Sequence, residues 1–417
     1  MCLKLPAADM PLGAFVPPSS TPFSVSARAA MPRGVWVLGL VSLLMDVSSE
    51  LAHSLLPLFL AGTLGVPMLA IGLIEGVAEA TALICKVFSG AISDWLGRRK
   101  PLLLFGYGLA AASKPLFPLA HSASTVLLAR FVDRVGKGVR GAPRDALIAD
   151  ITPPAIRGAA FGLRQSMDTV GAVLGPLLAI GLMFLYRDDI RSALWWSLPP
   201  ALLAVAAIWL WVREPAGHGE KRERAPLFSP RVFAQFSTSF WGVAGLGAVF
   251  TLARFSEAFL VLRGAQLGLP LAWAPLTMVA MSASYALSAY PLGWLSDHVS
   301  RARLLQLSLL LLIAADLALA AGTGPAMLLA GALLWGLHLG CSQGLLSALV
   351  AQTAPAGLAG SAFGLFNLIC GLATLLASVV AGALWQEWGA ATTFHGGAGF
   401  AAAALLLGLV LRPLRQF

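Results

Sequence analysis

Apolar positions along this chain come in long runs separated by short polar punctuation. From Gly34 onward twelve runs can be marked, at 34–60, 68–92, 101–120, 124–147, 158–185, 191–212, 238–262, 271–296, 303–321, 325–352, 358–384 and 391–411. Each is near the roughly 20 residues an α-helix needs to cross the hydrocarbon of a bilayer. The pattern predicts an all-α integral membrane protein with twelve transmembrane helices. The fourth run differs in kind. The stretch RFVDRVGKGVRGAPRDALIAD, at 130–150, sets Arg130, Asp133, Arg134, Lys137, Arg140, Arg144, Asp145 and Asp150 in apolar surroundings. Each such charge costs roughly 2.5–3.5 kcal/mol at the centre of a lipid-facing helix, so this face must meet protein or a water-filled cavity.

Composition agrees with the pattern: at 58% hydrophobic and 11% charged residues, the chain has too little polar surface to coat a soluble globule. The net charge of +9 is not a nucleic-acid footprint, because the basic residues gather at alternate ends of successive runs. Arg98, Arg99 and Lys100, Arg157, Arg301 and Arg303, and the 213–231 connection lie at one end. The opposite loops AGTLGVP, HSAST and GTG carry no Lys or Arg, and Arg187 and Arg191 are accompanied by Asp188 and Asp189. This predicts a multi-pass protein of the cytoplasmic (inner) membrane with both termini cytoplasmic. Residues 1–33 are rich in Pro, Ser and Ala, lack the apolar core of a signal peptide and are read as a disordered cytoplasmic tail; 413–417 is a short cytoplasmic end. Cys2, Cys85, Cys341 and Cys370 show no paired spacing and are read as small packing residues.

The chain also repeats itself. GAISDWLGRRK at Gly90 recurs as GWLSDHVSRAR at Gly293, RGAAFGLRQ at Arg157 as AGSAFGLFN at Ala359, and LGLVSLLMDVSSE at Leu38 as LGAVFTLARFSE at Leu246. A near-constant separation of half the chain predicts two pseudo-symmetric six-helix bundles, 34–212 and 238–412, joined by a cytoplasmic linker at 213–237. Parallel halves of this kind place a binding site at their interface near the bilayer midplane.

Gly90, Asp94, Gly97, Arg98 and Arg99, with the partial second copy Gly293 and Asp297, resemble the signature loop of the major facilitator superfamily. The resemblance covers nearly all of 34–412 and implies that this loop is a conformational latch on the cytoplasmic face and that the functional unit is a monomer. Arg130-x-x-Asp133-x-x-Gly136-x-Gly138 is similar to a fourth-helix motif whose Arg is associated with proton transfer, although Asp133 and Arg134 stand where an amide and a small residue are common. Gly162, Gly171, Gly175 and Pro176 resemble the fifth-helix antiporter motif of exporters, with Ala179-Ile180 in place of the following Gly pair. Glycines at these intervals predict a flat surface for tight packing between the halves, with a bend at Pro176. Arg134, Gly136-Lys137-Gly138, Arg140 and Pro143-Arg144-Asp145-Ala146-Leu147 resemble a prokaryotic subgroup of the superfamily; that likeness names no substrate. Gly136-Lys137 is no P-loop, since Phe131 and Gly138 stand where Gly and Ser or Thr are required.

Helical spacing collects further charges. Asp46, Glu50 and His53 share one face of the first run, Glu75, Glu79 and Lys86 one face of the second, and Arg164 and Asp168 one face of the fifth. Within its runs the second half holds Arg254 and Glu257, Asp316 and His338, a sparser set than that of the first half. Buried charges persist when paired, and the pairs expected are Arg130 or Lys137 with Asp133, Arg164 with Asp168, and Lys86 with Glu79. Asp46 and Glu50 have no Lys or Arg in their own run, and crowding in a dry cavity favours the protonated form of a carboxyl group. His53 reads as a polar packing or relay residue, not a metal ligand; no metal or cofactor is expected. Trp36, Trp195, Trp196, Trp385 and Trp388 read as interfacial anchors.

Resemblance and charges together lead to an expectation of secondary active transport of a small solute by alternating access, as proton-coupled export. Asp46 and Glu50, then Asp133 and Asp168, are expected to carry protons. Arg130, Arg134 and Lys137 are expected to couple that step to rocking of the halves or to hold an anion. His53, Glu79 and Arg164 join them around the cavity, and Arg254 and Glu257 complete the site from the second half. A proton-symport importer of an anionic or zwitterionic solute remains open, as does a non-transporting membrane sensor or partner-binding protein. No nucleophile, metal cluster or cofactor motif marks an enzyme, and the partners expected are the solute, protons and lipid, not nucleic acid.

Overall fold

The computed structural model describes residues 31–96, 98–214, 235–295, 298–342, 344–355 and 358–410. Residues 1–30 of the N-terminal tail, 215–234 of the linker, the C-terminal end from 411, Gly97, Asp297 and the side chain of Asp94 lie outside the described residues. Among the described residues there are helices and no strand. Helix α1 (Arg33–Leu58) widens at Phe59–Thr63 into a π-type turn directly after Pro57, whose nitrogen has no hydrogen to give the carbonyl of His53. Then follow α2 (Met68–Leu96), α3 (Lys100–Ser113), α4 (Ala123–Ile151), α5 (Arg157–Leu185), α6 (Ile190–Trp195) and α7 (Leu198–Trp211). The second half contains α8 (Thr238–Leu252), α9 (Ala258–Gln266), α10 (Leu276–Leu295), α11 (Arg301–Ala321), α12 (Pro325–Ser342), α13 (Leu345–Thr353), α14 (Ala359–Trp388) and α15 (Ala390–Val410). Ser122, Asp189, Ser237 and Ser300 accept N–H groups in the first turns of α4, α6, α8 and α11.

Three runs expected as single spans are interrupted. α6 gives way to α7 at Trp196–Ser197, just before Pro199 and Pro200; α8 stops at Leu252, and α9 begins only at Ala258. Gly344, at φ +79°, starts α13 with a left-handed residue that a side chain would strain. Among the described residues, eight helical stretches are long and apolar enough to cross a membrane, among them Met68–Gly90, Pro154–Leu185, Arg301–Ala321 and Gly360–Trp388. Of the other expected spans, α3 has only 14 residues, α4 carries the charges, and α8 and α9 are separated by the break.

α1 packs on α5 and α7, α2 on α4, and α3 on α4 and α7; in the second set, α12 packs on α10 and α11, α11 on α15, and α14 on α8 and α15. The sets meet along α2–α14, α5–α10 and α1–α9. At the first of these seams a Cβ on Gly76 would lie 2.9 Å from the carbonyl oxygen of Leu375, and one on Gly382 would lie 3.0 Å from Leu69 Cα, so the backbones approach too closely for side chains. At the second, Phe184 and Trp273 meet edge to face at 5.4 Å near one end. Toward the other end α5 and α10 flank a groove of about 670 Å³ lined by Gly162, Ser166, Val170, Ala289 and Tyr290.

The apolar core is interrupted in the first half. One cluster gathers Leu38, Met45, Leu103, Tyr107, Leu147 and Ile208; a larger one resumes at Leu51 on α1, takes in Val126 and Ala129 on α4, and continues through the second half. Between Met45 and Leu51, and between Ala129 and Leu147, lies the layer of ionisable side chains.

Candidate functional site

The layer is built on the periodicity of α4. Arg130, Asp133, Arg134, Lys137, Arg140 and Arg144 recur every three or four residues and therefore share a face; Arg130, Asp133, Arg134 and Arg140 are buried, whereas Lys137 is exposed to the cavity described below. The Gly136-Lys137-Gly138 triplet has a packing role. A Cβ at Gly136 would lie 3.0 Å from Ala110 N on α3, and one at Gly138 would lie 2.8 Å from the Ala82 carbonyl oxygen on α2. The two glycines let α4 settle between α2 and α3, with Lys137 turned to the remaining side.

Most buried charges have partners. Lys114 Nζ donates to Asp133 Oδ1 at 2.9 Å and to Ser49 Oγ at 3.2 Å, and Arg134 pairs with Glu79 at 3.1 Å and reaches Asp133 at 3.9 Å. Arg130 donates to Glu75 and lies 3.9 Å from Glu79. His53 stands between two acids, with Nδ1 3.6 Å from Glu50 and Nε2 3.4 Å from Glu75. A second group ties α4 to α5: Arg164 donates to Asp168, Arg144 approaches Asp168 at 3.8 Å and Asp145 at 3.2 Å, and Arg144 also donates to Ser42 at 2.9 Å. The Arg140 guanidinium lies over the Tyr107 ring at 4.6 Å.

Two expected pairings are thereby corrected. Asp133 is held by Lys114 and not by Arg130 or Lys137, and Glu79 takes Arg134, not Lys86, which is exposed. Lys114 was missed, although a lone Lys inside the third apolar run is the same signal that singled out α4. Glu75 is the larger omission from the expected site, because spacing alone did not separate this wholly buried acid from its neighbours on α2.

Both halves contribute to one cavity of about 340 Å³. From the first half it receives Glu50, His53, Glu79, Arg134 and Lys137; from the second, Arg254, Phe255, Ser256 and Glu257 at the break between α8 and α9, with Trp335 behind them. Among the described residues, Lys137, Arg254 and Glu257 have no ion-pair partner within 4.0 Å, and Asp46, half-buried on α1, has none either. With the remaining charges paired, the cavity wall presents two single cations and one single acid.

Gly171 and Gly175 of α5 do not face the other half. A Cβ on Gly171 would lie 2.9 Å from Asp46 Cβ, and one on Gly175 would lie 2.8 Å from Glu50 Cβ, so each glycine seats one of the two first-helix acids within the same half. Gly162 of the motif lies on the boundary, in the α5–α10 groove with no atom within 4 Å of an added Cβ. Sequence spacing identifies a flat helix face and is silent on which neighbour covers it. Pro176 is buried inside α5, which runs unbroken to Leu185.

Comparison with known proteins places this arrangement in a family. The family model described as Major Facilitator Superfamily matches residues 38–378 and 264–417. The chain belongs to the major facilitator superfamily. A similar full-length relative is the "Uncharacterized MFS-type transporter MJ1317" of Methanocaldococcus jannaschii, 28% identical over 393 residues that cover 91% of this chain and 94% of that one. "Multidrug resistance protein MdtH" of Cronobacter sakazakii is 28% identical over 158 residues, 38% of this chain and 39% of that one. The crystal structure of the nucleoside transporter NupG superposes with a TM-score of 0.72 at 14% identity, over 93% of this chain and 100% of that one, a likeness of fold.

As a superfamily member the chain is a multi-pass membrane protein of a family of transporters, not of enzymes, with a small molecule as the implied cargo. In the loop that resembles the superfamily signature, Arg99 donates to Ser93 at 2.5 Å and lies 3.6 Å from Asp150, tying the end of α2 to α4; Glu214 accepts the Lys100 N–H at 2.7 Å and also that of Arg99. Arg98 is exposed, Gly90 has only Ala142 nearby, and Gly293 is exposed in the repeated loop. In the second half, Asp316 is fully buried with neither oxygen hydrogen-bonded, and His338 donates Nδ1–H to the Ser308 carbonyl oxygen at 2.7 Å. Trp36, Trp195, Trp196 and Trp388 are exposed as anchors would be, but Trp385 is buried against Phe259 and Phe394.

Proposed function

We propose that this transporter consists of two six-helix bundles, 34–212 and 238–412, joined by a cytoplasmic linker at 213–237, and that it exports a small solute from the cytoplasm in exchange for protons. The observation that carries the reading is the shared cavity: paired and unpaired charges of both bundles surround it, and the broken helix of the second bundle opens onto it, as at transporter binding sites near the midplane. Asp46 and Glu50 load and release the proton. Asp133 and Asp168, each already approached by two cations, instead fix α4 and α5 in place. Arg130 and Arg134 hold the acids of α2, while Lys137, Arg254 and Glu257 are free to meet the solute. Asp94, Arg98 and Arg99 of the first signature loop, with Asp297 of the second, act as a latch on the cytoplasmic side. The protein works as a monomer in the inner membrane with both ends in the cytoplasm.

Export is supported by the antiporter-like spacing of α5 and by the relative named for multidrug resistance. A second reading, proton symport, has one observation in its favour. Lys137 and Arg254 are unpaired cations suited to an anion, and a bound anion beside Asp46 and Glu50 helps them hold a proton, so that the two would travel together. The test uses inside-out vesicles with an acid-inside pH gradient reported by a quenched dye, to which cations, anions, metal ions and organic acids are added. Recovery of fluorescence in wild type, absent from Asp46→Asn/Glu50→Gln, is the expected result. Silence toward every compound with the protein present, together with proton-dependent uptake in right-side-out vesicles, would replace export with symport.

A further inference from the structure

Glu75 neither lines the cavity nor belongs to the proton-loading pair, yet it occupies a buried point where the two halves meet in polar contact. It is wholly buried on α2. Its Oε2 collects the Arg130 guanidinium from α4, His53 Nε2 from α1 at 3.4 Å, and the Ser256 hydroxyl from the opposite half at 3.3 Å, while its Oε1 has no hydrogen-bond partner. Ser256 lies in the break between α8 and α9, and its Oγ also accepts the N–H of Ala258, the first residue of α9, at 3.3 Å. On the other side, His53 Nδ1 is 3.6 Å from Glu50, whose carboxylate lines the cavity. A chain of polar contacts therefore runs from Glu50 through His53, Glu75 and Ser256 to the start of α9; the His53 links are electrostatic, at ion-pair distance with Nε2 not hydrogen-bonded, and the Ser256 links are hydrogen bonds.

We propose that Glu75 is the coupling residue that converts the protonation of the Glu50–His53 pair into a change in how firmly the second half is docked at Ser256. The inference goes beyond the assignment of Asp46 and Glu50 and rests on the transporter being proton-coupled. The reasoning is electrostatic. An imidazolium at His53 shares the charge of Glu75 Oε2 with Arg130, leaving less for the neutral Ser256 donor; loss of that proton returns the charge and tightens the bond to Ser256. Proton binding thus loosens the α2-to-break contact, and proton release restores it. The other charges facing this node are Glu79 on α2 and Arg134 on α4, which pair with each other, Lys137 on α4 across the cavity from Glu50, and Arg254 and Glu257 flanking Ser256. None of these lies between His53 and Glu75 on the chain of contacts described.

The test needs no substrate. Spin labels are placed at Ser166 and Ala289, which face each other across the α5–α10 groove, in full-length protein whose native cysteines are replaced. The distance distribution is then recorded in lipid nanodiscs between about pH 5 and pH 9, the range over which a histidine switch operates. Wild type is expected to redistribute between a shorter and a longer population, with the ratio changing about tenfold, the scale of one hydrogen bond to a charged group. Glu75→Gln, which retains an acceptor for Ser256 but not the charge, should populate both states with no pH response, and Glu75→Asp should restore part of it. Ser256→Ala should lose the response while Glu75 remains in place. Wild-type titration curves in Glu75→Gln and Ser256→Ala overturn the inference, as does a wild-type distribution indifferent to pH. If Glu75→Gln does not fold, Ser256→Ala and His53→Gln decide by the same criterion. Dye-reported proton exchange that persists in wild type while both variants retain their pH response would sink this coupling role and leave the transport reading intact.

Discussion

Gly175→Ala separates two accounts of the α5 motif. The added Cβ would lie 2.8 Å from Glu50 Cβ, 2.8 Å from Leu51 N and 2.9 Å from the Val47 carbonyl oxygen. Carbon contacts relax near 3.5–4.0 Å, so α1 and α5 must part by about 1 Å along this stretch. Overpacking on that scale costs about 1–3 kcal/mol, offset by the ~0.5–1 kcal/mol that Ala gains over Gly in a helix. Gly162→Ala in the same motif meets no atom within 4 Å and keeps only the gain. The two substitutions should therefore move stability in opposite directions. For a bundle of this size each kcal/mol shifts the midpoint by about 2–4 °C, so thermal unfolding of detergent-purified protein, followed by the loss of its monodisperse peak, resolves them. Gly171→Ala, with contacts at 2.8 and 2.9 Å, should behave as Gly175→Ala does. A Gly175→Ala protein at least as stable as Gly162→Ala would refute packing within the half. It would return the motif to the boundary between halves, where alanine would alter exchange between states rather than the midpoint.

Lys114→Met strands Asp133 without its closest partner and should cost about 3–5 kcal/mol, most of it recovered in Lys114→Met/Asp133→Leu; a double-mutant cycle on thermal midpoints checks this. Asp316→Asn removes a buried carboxylate that has no donor and should raise the midpoint by a few degrees, worth about 1–3 kcal/mol; a fall instead would reveal a partner in another state of the protein. Lys137→Gln and Arg254→Gln should each raise the KM for an anionic solute about tenfold or more and leave that for a neutral solute unchanged, as measured by initial rates in vesicles.

The hydrophobic runs made the helices legible because lipid contact selects composition over long stretches. The charged face of α4 was legible for the converse reason, since ionisable groups at that density have no place against lipid. What stayed hidden depends on which neighbour lies opposite. Spacing put Gly171 and Gly175 on one face but could not say that Asp46 and Glu50 cover them. Asp133 offered several equally plausible cations on or beside its own helix, and the one chosen, Lys114, comes from a short 3₁₀ turn at the end of α3. The break at 253–257 is itself polar, with Arg254, Ser256 and Glu257, but apolar residues resume on both sides of it, so the run keeps the length of a single span. Glu75 could be recognised as buried only after α2, α4 and the opposite half were brought together.

The division of labour between the halves has an evolutionary consequence. Among the described residues the ion pairs lie in the first half, while the far wall of the cavity sets Arg254, Ser256 and Glu257 among Thr251, Phe255, Trp335 and Thr374, with Phe255 packed edge to face on Phe259, Trp335 and Phe394. A replacement at Thr251, Phe255, Trp335 or Thr374 changes shape and polarity without removing a charge. Selection for a new cargo can therefore act on one half by single steps, each tolerable on its own, while the other half retains its ion pairs unchanged.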